Sequence, residues 1–296
     1  MPKATLLHNP KAGEENLTAE ELVSKMQAKG IDCVYKSVKE DDWKQLDEDT
    51  DFLVIAGGDG TVRKVTESLL EQKLHKSFPI ALFPAGTANN IARTLNLPAD
   101  ENDIIERWQN AVIQKFDVGK IHNLPEASFF LESFGYGVFP VLMNEMQKQD
   151  KSLTDTPEKK LQLAVELLHP IITSYQPAYC ELEVDGIDHS GKFLLVEIMN
   201  TQSIGPNLHL SPHADPGDGE FEVVLIPESQ KEKLLKYIEN KIRGVEAPDL
   251  FDICKAKNIK IKCHELLAHV DDEIVEIRRE AEVRIELIEG LLEFMV

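Results

Sequence analysis

Two glycine-rich loops are the residues of this chain best suited to chemistry, because each follows an apolar run and precedes a segment compatible with a helix. The first reads Gly-Gly-Asp-Gly-Thr at residues 57–61, directly after Val-Ile-Ala. The second reads Pro-Ala-Gly-Thr-Ala-Asn at residues 84–89. Glycine lets a ligand approach the main chain closely, and a helix N-terminus offers free N–H groups to a phosphate. The pair of loops therefore predicts a phosphate-binding site, with two ordinary turns as the alternative.

Polar residues near these loops extend the predicted site. Asn9 precedes Pro10 and Lys11, and its amide could hold a nucleotide, although Asn-Pro is also a common turn. Arg63 and Lys64 place cations in the first turn of the helix after the first loop, where they oppose the helix dipole. A bound anion would remove that conflict, and two solvated side chains are the alternative.

Two acidic groups stand out in the second half of the chain. Asp215 and Asp218 are spaced i, i+3 in the sequence Asp-Pro-Gly-Asp-Gly, and with the carbonyl of Glu220 they could hold Mg²⁺. The same sequence is also simply a strong turn. Asp271 and Glu273 lie in an acidic cluster between apolar segments, where a carboxylate could act as a general base. Read alone, that cluster is also compatible with a solvated turn.

The elements that position the loops alternate between strands and helices in the first third. Strands are predicted at residues 4–7, 33–38, 52–55, 80–83 and 115–118, and a helix at 62–70. Thr18 and Glu21 form a capping box that opens another helix, which ends near Gly30. This alternation predicts a parallel sheet covered on both faces. Asn9, Asp59 and Thr87 each follow the carboxyl end of a strand, where ligands of such sheets bind.

After about residue 122 the pattern changes to many strands with few helices. Strands are predicted at 179–184, 193–199, 220–226, 259–263 and 282–288, with a hairpin turn at Asp185-Gly186, and helices at 158–168 and 228–243. This predicts an antiparallel sandwich. The apolar residues 291–296 are expected to pack back on the core, with the first domain as one candidate.

Composition narrows the functional classes. The chain has 296 residues, 42% of them hydrophobic, which suffices for one large domain or two ordinary ones. A net charge of −20 disfavours nucleic acid as a partner and opposes long-range attraction to an anionic bilayer. No apolar run reaches the roughly 18 residues of a membrane span, and the N-terminus lacks a signal-peptide core, so we expect a cytoplasmic protein without a transmembrane segment. The four cysteines form no C-x-x-C pair and are expected to be reduced thiols.

These motifs, in this order, resemble the diacylglycerol kinase catalytic-domain superfamily, which includes bacterial lipid kinases and sphingosine kinases. The first loop is shared with NAD kinases and phosphofructokinases, whereas the second resembles a lipid kinase. The resemblance implies an α/β N-terminal, Rossmann-like (NAD kinase/phosphofructokinase-like) domain at residues 1–122, joined by a return strand at about 289–296. It also implies a C-terminal antiparallel β-sandwich at residues 123–288 that carries the acceptor lipid.

The resemblance further implies transfer of the γ-phosphoryl group of ATP to the hydroxyl of a diacylglycerol-like lipid at a membrane surface, with ATP and Mg²⁺ as cofactors. The protein would then act peripherally on membranes, and a homodimer is left open. The implied catalytic residues are Asp271, Glu273 and Asp59. The implied nucleotide-binding residues are Asn9, Pro10, Lys11, Gly13, Ser37, Gly57, Gly58, Asp59, Gly60, Thr61, Gly86, Thr87 and Asn89. The implied metal ligands are Asp215, Asp218 and Glu220.

The chain departs from the family pattern at four places. Ala12 stands where the family usually has Ser, Arg63-Lys64 where it has Asn-Glu, Asn90 where it has Asp, and Asp272 where it has Gly. Asn90 matters most, because an amide offers no charge to a metal. Two other hypotheses therefore stay open: a nucleotide-binding pseudokinase with a regulatory role, and a kinase of a soluble acceptor that resembles NAD kinase.

Overall fold

The computed structural model describes residues 1–12, 18–72, 77–98, 100–150, 156–245, 251–278 and 281–296. Gly13, one of the predicted nucleotide-binding residues, lies outside these ranges. The chain divides into two compact units. The first holds Met1–Phe116 with Gly290–Val296, and the second holds Asp117–Glu289.

A parallel sheet forms the centre of the first unit. Its strands are β1 (Lys3–His8), β2 (Asp32–Ser37), β3 (Phe52–Gly57) and β4 (Ile80–Pro84). They lie in the order β2-β1-β3-β4, and each neighbouring pair is parallel. The helices are α1 (Ala19–Ala28), α2 (Asp59–Gln72), α3 (Asn90–Thr94) and α4 (Glu101–Arg107), with 3-10 turns at Asp42–Lys44 and Trp108–Asn110. The predicted α/β architecture is confirmed.

Local sequence accounts for much of this unit. Strand β3 is buried along its whole length, as expected for a parallel strand covered on both faces. Helix α1 begins at the predicted capping box, in which the Glu21 N–H donates to Thr18 Oγ1 at 3.2 Å and the Thr18 N–H donates to Glu21 Oε2 at 3.0 Å. Leu22 and Met26, one turn apart, bury the same face of this helix in the core.

The second unit is mainly antiparallel. Two strands, β5 (Ile113–His122) and β18 (Val283–Met295), have residues in both units. The others are β6 (Phe129–Phe130), β7 (Ser133–Gly137), β8 (Tyr179–Val184), β9 (Ile187–Asp188), β10 (Gly191–Met199), β11 (Ser203–Ile204), β12 (Leu208–His209), β13 (Phe221–Pro227), β14 (Ile253–Ala256), β15 (Asn258–Cys263), β16 (Leu267–Val270) and β17 (Glu273–Glu276). Its helices are α5 (Val138–Gln147), α6 (Pro157–Ser174) and α7 (Lys231–Ile242), the last after a 3-10 turn at Glu228–Gln230.

Two layers of strands enclose the core of the second unit. One layer has the order β17-β16-β7-β10-β13-β14, and the other pairs β8 with β15 and β15 with β18. Val196 on β10 packs in one cluster with Leu182 and Ile261 of the other layer. Leu195, its neighbour in sequence, packs instead with residues of α5, α6 and α7. Residues on the two faces of β10 therefore contribute to two cores, one between the strand layers and one between the sheet and helices α5, α6 and α7.

One prediction about the cysteines is wrong. Cys180 and Cys263 form a disulfide, whereas Cys33 and Cys254 are free. The physical reason is strand register, because Cys180 on β8 lies directly opposite Cys263 on β15 with their Cα atoms 4.1 Å apart. Because the two cysteines lie 83 residues apart in sequence, no local sequence pattern shows that they are neighbours in the fold.

Several elements extend further than expected, among them α6 (Pro157–Ser174) and β5 (Ile113–His122). Helix α2 begins at Asp59 rather than Val62, so that part of the first glycine loop forms its first turn. Residues 282–288 and 291–296 belong almost entirely to one strand, β18, whose Phe294 pairs with Ile80 of β4 inside the first unit. Among the described ranges, every helix falls short of the length and apolar character that a bilayer crossing requires.

Candidate functional site

The two glycine loops of the first unit touch each other through their main chains. The Ala85 N–H donates to the Gly57 carbonyl at 2.9 Å. A Cβ atom on Gly86 would lie 2.4 Å from the Gly58 Cα, and one on Gly58 would lie 2.9 Å from the Gly86 Cα. Such contacts are too short for any side chain, so the approach of the two loops requires glycine at both positions.

Asp59 ties the first loop to the helix that follows the second loop. Its Oδ2 accepts the Asn90 N–H at 2.9 Å and its Oδ1 accepts the Ile91 N–H at 3.1 Å. A carboxylate at this position also compensates the positive end of the α3 dipole. The predicted catalytic carboxylate is therefore at least a positioning residue that joins both loops.

Asn89 closes the second loop. It adopts the left-handed backbone conformation, with φ of 53°. Its Oδ1 accepts the Gly86 N–H and its Nδ2 donates to the Gly86 carbonyl, both at 2.9 Å. Thr87 lies between them, half-buried. The loop is thus held by its own residues.

The segment after β1 joins the same group of loops. Asn9 Nδ2 donates to Thr61 Oγ1 at 3.0 Å, and the Lys11 N–H donates to Asn9 Oδ1 at 3.2 Å. Pro10 and Lys11 are exposed, as is Gly60 in the first turn of α2. The structure therefore brings together Asn9, Thr61 and both glycine loops at the carboxyl ends of β1, β3 and β4.

Lys64 has a partner that the sequence did not reveal. Its Nζ donates to the Val38 carbonyl at 2.6 Å and lies 5.4 Å from the centroid of the buried Trp43 ring. Ser37, also buried, precedes this segment, and its Oγ accepts the Lys39 N–H at 3.3 Å. Because α2 begins at Asp59, Lys64 lies in its second turn rather than its first, and its cation holds the chain that follows β2.

In the second unit, Asp271 shapes the turn before β7. Its Oδ1 accepts the N–H groups of Glu132, Leu131 and Ser133 at 2.7, 3.1 and 3.2 Å. Its own N–H donates to the Ser133 carbonyl at 2.8 Å, and its φ is 53°. Three backbone donors therefore occupy lone pairs that a base would offer to an acceptor hydroxyl. Glu273, the first residue of β17, is exposed instead.

A buried pair of ionisable side chains, His269 and Glu197, packs against this turn. His269 Nε2 lies 2.8 Å from Glu197 Oε1, and its Nδ1 lies 3.0 Å from the Asp271 carbonyl. His269 is 2% exposed and Glu197 is fully buried. Burial by itself lowers the pKa of His269, but the charge and hydrogen bond of Glu197, with the Asp271 carbonyl, outweigh it and raise that pKa above its usual value.

The proton positions of this pair follow from its partners. A carbonyl oxygen only accepts, so Nδ1 carries a proton toward Asp271. One further proton lies between Nε2 and the Glu197 carboxylate, on either partner. In the sequence, the signal of this arrangement is a lone glutamate, Glu197, within the apolar strand β10, and it was missed.

The acidic loop at residues 215–220 contains a lysine that was also missed. Lys255 Nζ lies 2.5 Å from Asp218 Oδ2 and 3.3 Å from Glu220 Oε2. The side chain of Asp215 accepts the Gly217 N–H at 3.1 Å. Among the described residues there is no group of three or more His, Cys, Asp and Glu side chains arranged to hold a metal ion. Lys255 already pairs with Asp218, one of the predicted Mg²⁺ ligands, and the Mg²⁺ site itself stays a prediction.

Two family models match the chain. The model of the diacylglycerol kinase catalytic domain matches residues 3–121. The model of the YegS C-terminal NAD kinase beta sandwich-like domain matches residues 145–294.

Curated relatives match most of the chain. It is 24% identical over 279 residues to a diacylglycerol kinase of Bacillus subtilis (strain 168), which covers 90% of this chain and 87% of the relative. It is 26% identical over 283 residues to a diacylglycerol kinase of Staphylococcus carnosus (strain TM300), with coverage of 92% and 88%.

Solved structures confirm the predicted fold class. A diacylglycerol kinase from Bacillus anthracis str. Sterne has a TM-score of 0.72 at 22% identity, covering 99% of this chain and 96% of that chain. An NAD kinase from Archaeoglobus fulgidus, solved in complex with ATP, has a TM-score of 0.52 at 12% identity, covering 100% and 94%. At these identities the likeness establishes the fold alone.

Proposed function

Because the chain belongs to the diacylglycerol kinase catalytic-domain superfamily, we propose that it transfers the γ-phosphoryl group of ATP to the hydroxyl group of a diacylglycerol-like lipid. Residues 1–122 with 289–296 bind the nucleotide in this proposal, and residues 123–288 bind the acceptor. The protein works in the cytoplasm at a membrane surface.

One observation carries the nucleotide half of the proposal. Gly58 and Gly86 approach so closely that no Cβ fits between their loops, and Asp59 bridges to the N-terminus of α3. The result is a paired set of glycine main chains at the carboxyl edge of a parallel sheet, which suits the triphosphate of ATP. Gly57, Gly60, Thr61 and Thr87 belong to these loops, and Asn9 is hydrogen-bonded to them through Thr61.

The acceptor half rests on the acidic turn at the start of β17. In our proposal Glu273 takes the proton of the lipid hydroxyl, because it is exposed whereas the oxygens of Asp271 accept backbone N–H groups. The lipid oxygen then bonds to the γ-phosphorus as the bond to the bridging oxygen of ADP breaks. Asp271 orients the turn, and the buried His269–Glu197 pair contacts the turn through the hydrogen bond from His269 Nδ1 to the Asp271 carbonyl. Positioning and charge neutralisation supply most of the rate, as in phosphoryl transfer generally.

Mg²⁺ bound to ATP would neutralise charge on the phosphates. The chain's own contribution is to hold the phosphates by main-chain N–H groups and to keep the two loops in contact.

The pseudokinase is the second candidate function, and Asn90 favours it. Its side chain is buried at the start of α3, and its backbone N–H donates to the Asp59 carboxylate. An amide there removes one negative charge from the region where the family usually has a carboxylate. If this loss disables the enzyme, Asn90→Asp raises lipid phosphorylation strongly. An unchanged rate in an active wild type excludes this candidate.

A panel of acceptors tests the proposal. Radiolabelled ATP is supplied with diacylglycerol, phosphatidylglycerol or sphingosine in mixed micelles, and with NAD as a soluble acceptor. Label in one of the lipids that is lost in Glu273→Gln supports the proposal. Label in NAD alone identifies a soluble-acceptor kinase, and tight ATP binding without transfer to any acceptor identifies a pseudokinase.

A further inference from the structure

The loop at residues 215–220 is built by the chain itself. Asp117, which is fully buried, accepts the Gly219 N–H through Oδ2 at 2.9 Å and donates its own N–H to the Pro216 carbonyl at 2.5 Å. Within the loop, Asp218 Oδ1 accepts the Glu220 N–H at 3.0 Å. Hydrogen bonds from the chain itself therefore hold this turn.

Three carboxylates converge where this loop enters β13: Asp218, Glu220 and Glu222. Glu222 is 3% exposed, and neither of its carboxylate oxygens has a hydrogen-bond partner among the described residues. Burial raises the pKa of Glu222 to about 7, the charge of Lys255 lowers it and that of Asp218 raises it, so a neighbouring cation is what keeps these carboxylates ionised side by side.

Strand register supplies that cation. Lys255 on β14 is the antiparallel partner of Glu222 on β13. Its Nζ lies 2.5 Å from Asp218, 3.3 Å from Glu220 and 3.7 Å from Glu222. One ammonium therefore contacts all three carboxylates, and it is fixed there by the ladder of the sheet.

An ammonium and a divalent ion cannot share this position. Mg²⁺ binds oxygens at about 2.0–2.1 Å in octahedral geometry, and Lys255 already occupies the space between the same oxygens. We propose that Lys255 is the built-in counter-ion of this loop, so that the second unit needs no divalent cation to fold or to hold the loop. This inference does not depend on the proposed kinase activity.

Thermal unfolding of the nucleotide-free protein tests the inference. The Tm of the wild type is expected to be the same in Mg²⁺ and in a chelator. Lys255→Ala leaves three carboxylates without their cation, so its Tm in chelator is lower and rises again with Mg²⁺ or Ca²⁺. The rise is about 5 °C when the cation is at about a hundred times its dissociation constant. Lys255→Arg keeps the charge, so its Tm is expected to be the same in Mg²⁺ and in a chelator.

Lys260→Ala is the matched control. Its exposed ammonium lies 2.6 Å from one exposed carboxylate, that of Glu183, so its removal should create no response to cations. The inference is overturned if chelation lowers the Tm of the wild type. It is also overturned if Lys255→Ala responds to cations no more than Lys260→Ala does.

Calorimetric titration keeps the inference testable if Lys255→Ala does not fold. No Mg²⁺ binding to the nucleotide-free wild type is expected. Stoichiometric binding that Asp218→Asn abolishes would overturn the inference. Neither experiment measures phosphoryl transfer, so failure here is distinct from failure of the proposed kinase activity.

Discussion

Replacing Gly86 with alanine should separate the two glycine loops of the first unit. The added methyl would lie 2.4 Å from the Gly58 Cα, whereas ordinary contacts begin at 3.4 Å, so the loops must part by about 1 Å. The position of a Cβ is fixed by the main chain and the Gly58 Cα is a main-chain atom, so no side-chain rotation can relieve this clash; the methyl would also lie 2.7 Å from Asn89 Oδ1. The N–H groups of one loop then no longer point at the same phosphate as those of the other.

The expected loss is that of one hydrogen bond to a charged group, about 1.5–3 kcal/mol. This corresponds to a Kd for ATP that is about 10- to 100-fold higher. Gly58→Ala should have a smaller effect, because its methyl would lie 2.9 Å from the Gly86 Cα. Isothermal titration calorimetry with ATP measures both variants.

Gly191→Ala is the control, since it adds the same methyl in the second unit, 3.2 Å from the far end of the Phe193 side chain. Its Kd for ATP should equal that of the wild type. A folded Gly86→Ala variant that binds ATP as tightly as the wild type would refute the role of the loop contact.

Three further predictions concern stability. Lys64→Ala removes a charged hydrogen bond to the carbonyl of the buried Val38 and should lower the free energy of unfolding in urea by about 1.5–3 kcal/mol. Lys44→Ala, whose ammonium lies 3.7 Å from the exposed Glu71, should cost less, and equal effects would argue against the role of the Val38 contact. Because the pKa of His269 is raised above 6.5 in the folded state, its contribution to stability is fully present below pH 6.5 and is lost as pH rises through the folded pKa. His269→Gln should therefore flatten the decline of the unfolding free energy with rising pH, as measured by urea titrations at several pH values. An unchanged pH dependence would exclude the His269–Glu197 pair as the source of the decline. Reducing the Cys180–Cys263 disulfide, which closes a loop of 83 residues, should lower the free energy of unfolding in urea by about 4–5 kcal/mol. An unchanged urea midpoint after reduction would contradict a stabilising role for this disulfide.

Features that depend on neighbouring residues in sequence could be predicted. The alternation of strands and helices, the capping box at Thr18 and the two glycine loops are all local patterns, and the fold class and family that they indicated are confirmed. The roles of the individual site residues stay predictions.

Features that depend on strand register could not be predicted. Lys255 meets Glu222, and Cys180 meets Cys263, only because β14 and β15 pair with β13 and β8 in one particular alignment. A shift of one residue would turn these side chains to the other face of the sheet. The contact of Lys64 with Val38 is likewise tertiary, between α2 and the chain after β2.

The capacity to phosphorylate a lipid is the central claim, and one assay tests it most directly. Wild type and Glu273→Gln are compared for transfer of radiolabel from γ-labelled ATP to diacylglycerol in mixed micelles, after calorimetry has shown that both bind ATP equally. We predict labelled lipid from the wild type and a loss of roughly 10²- to 10⁴-fold in the variant, as expected for removal of a general base. ATP binding without labelled lipid from the wild type would contradict the claim.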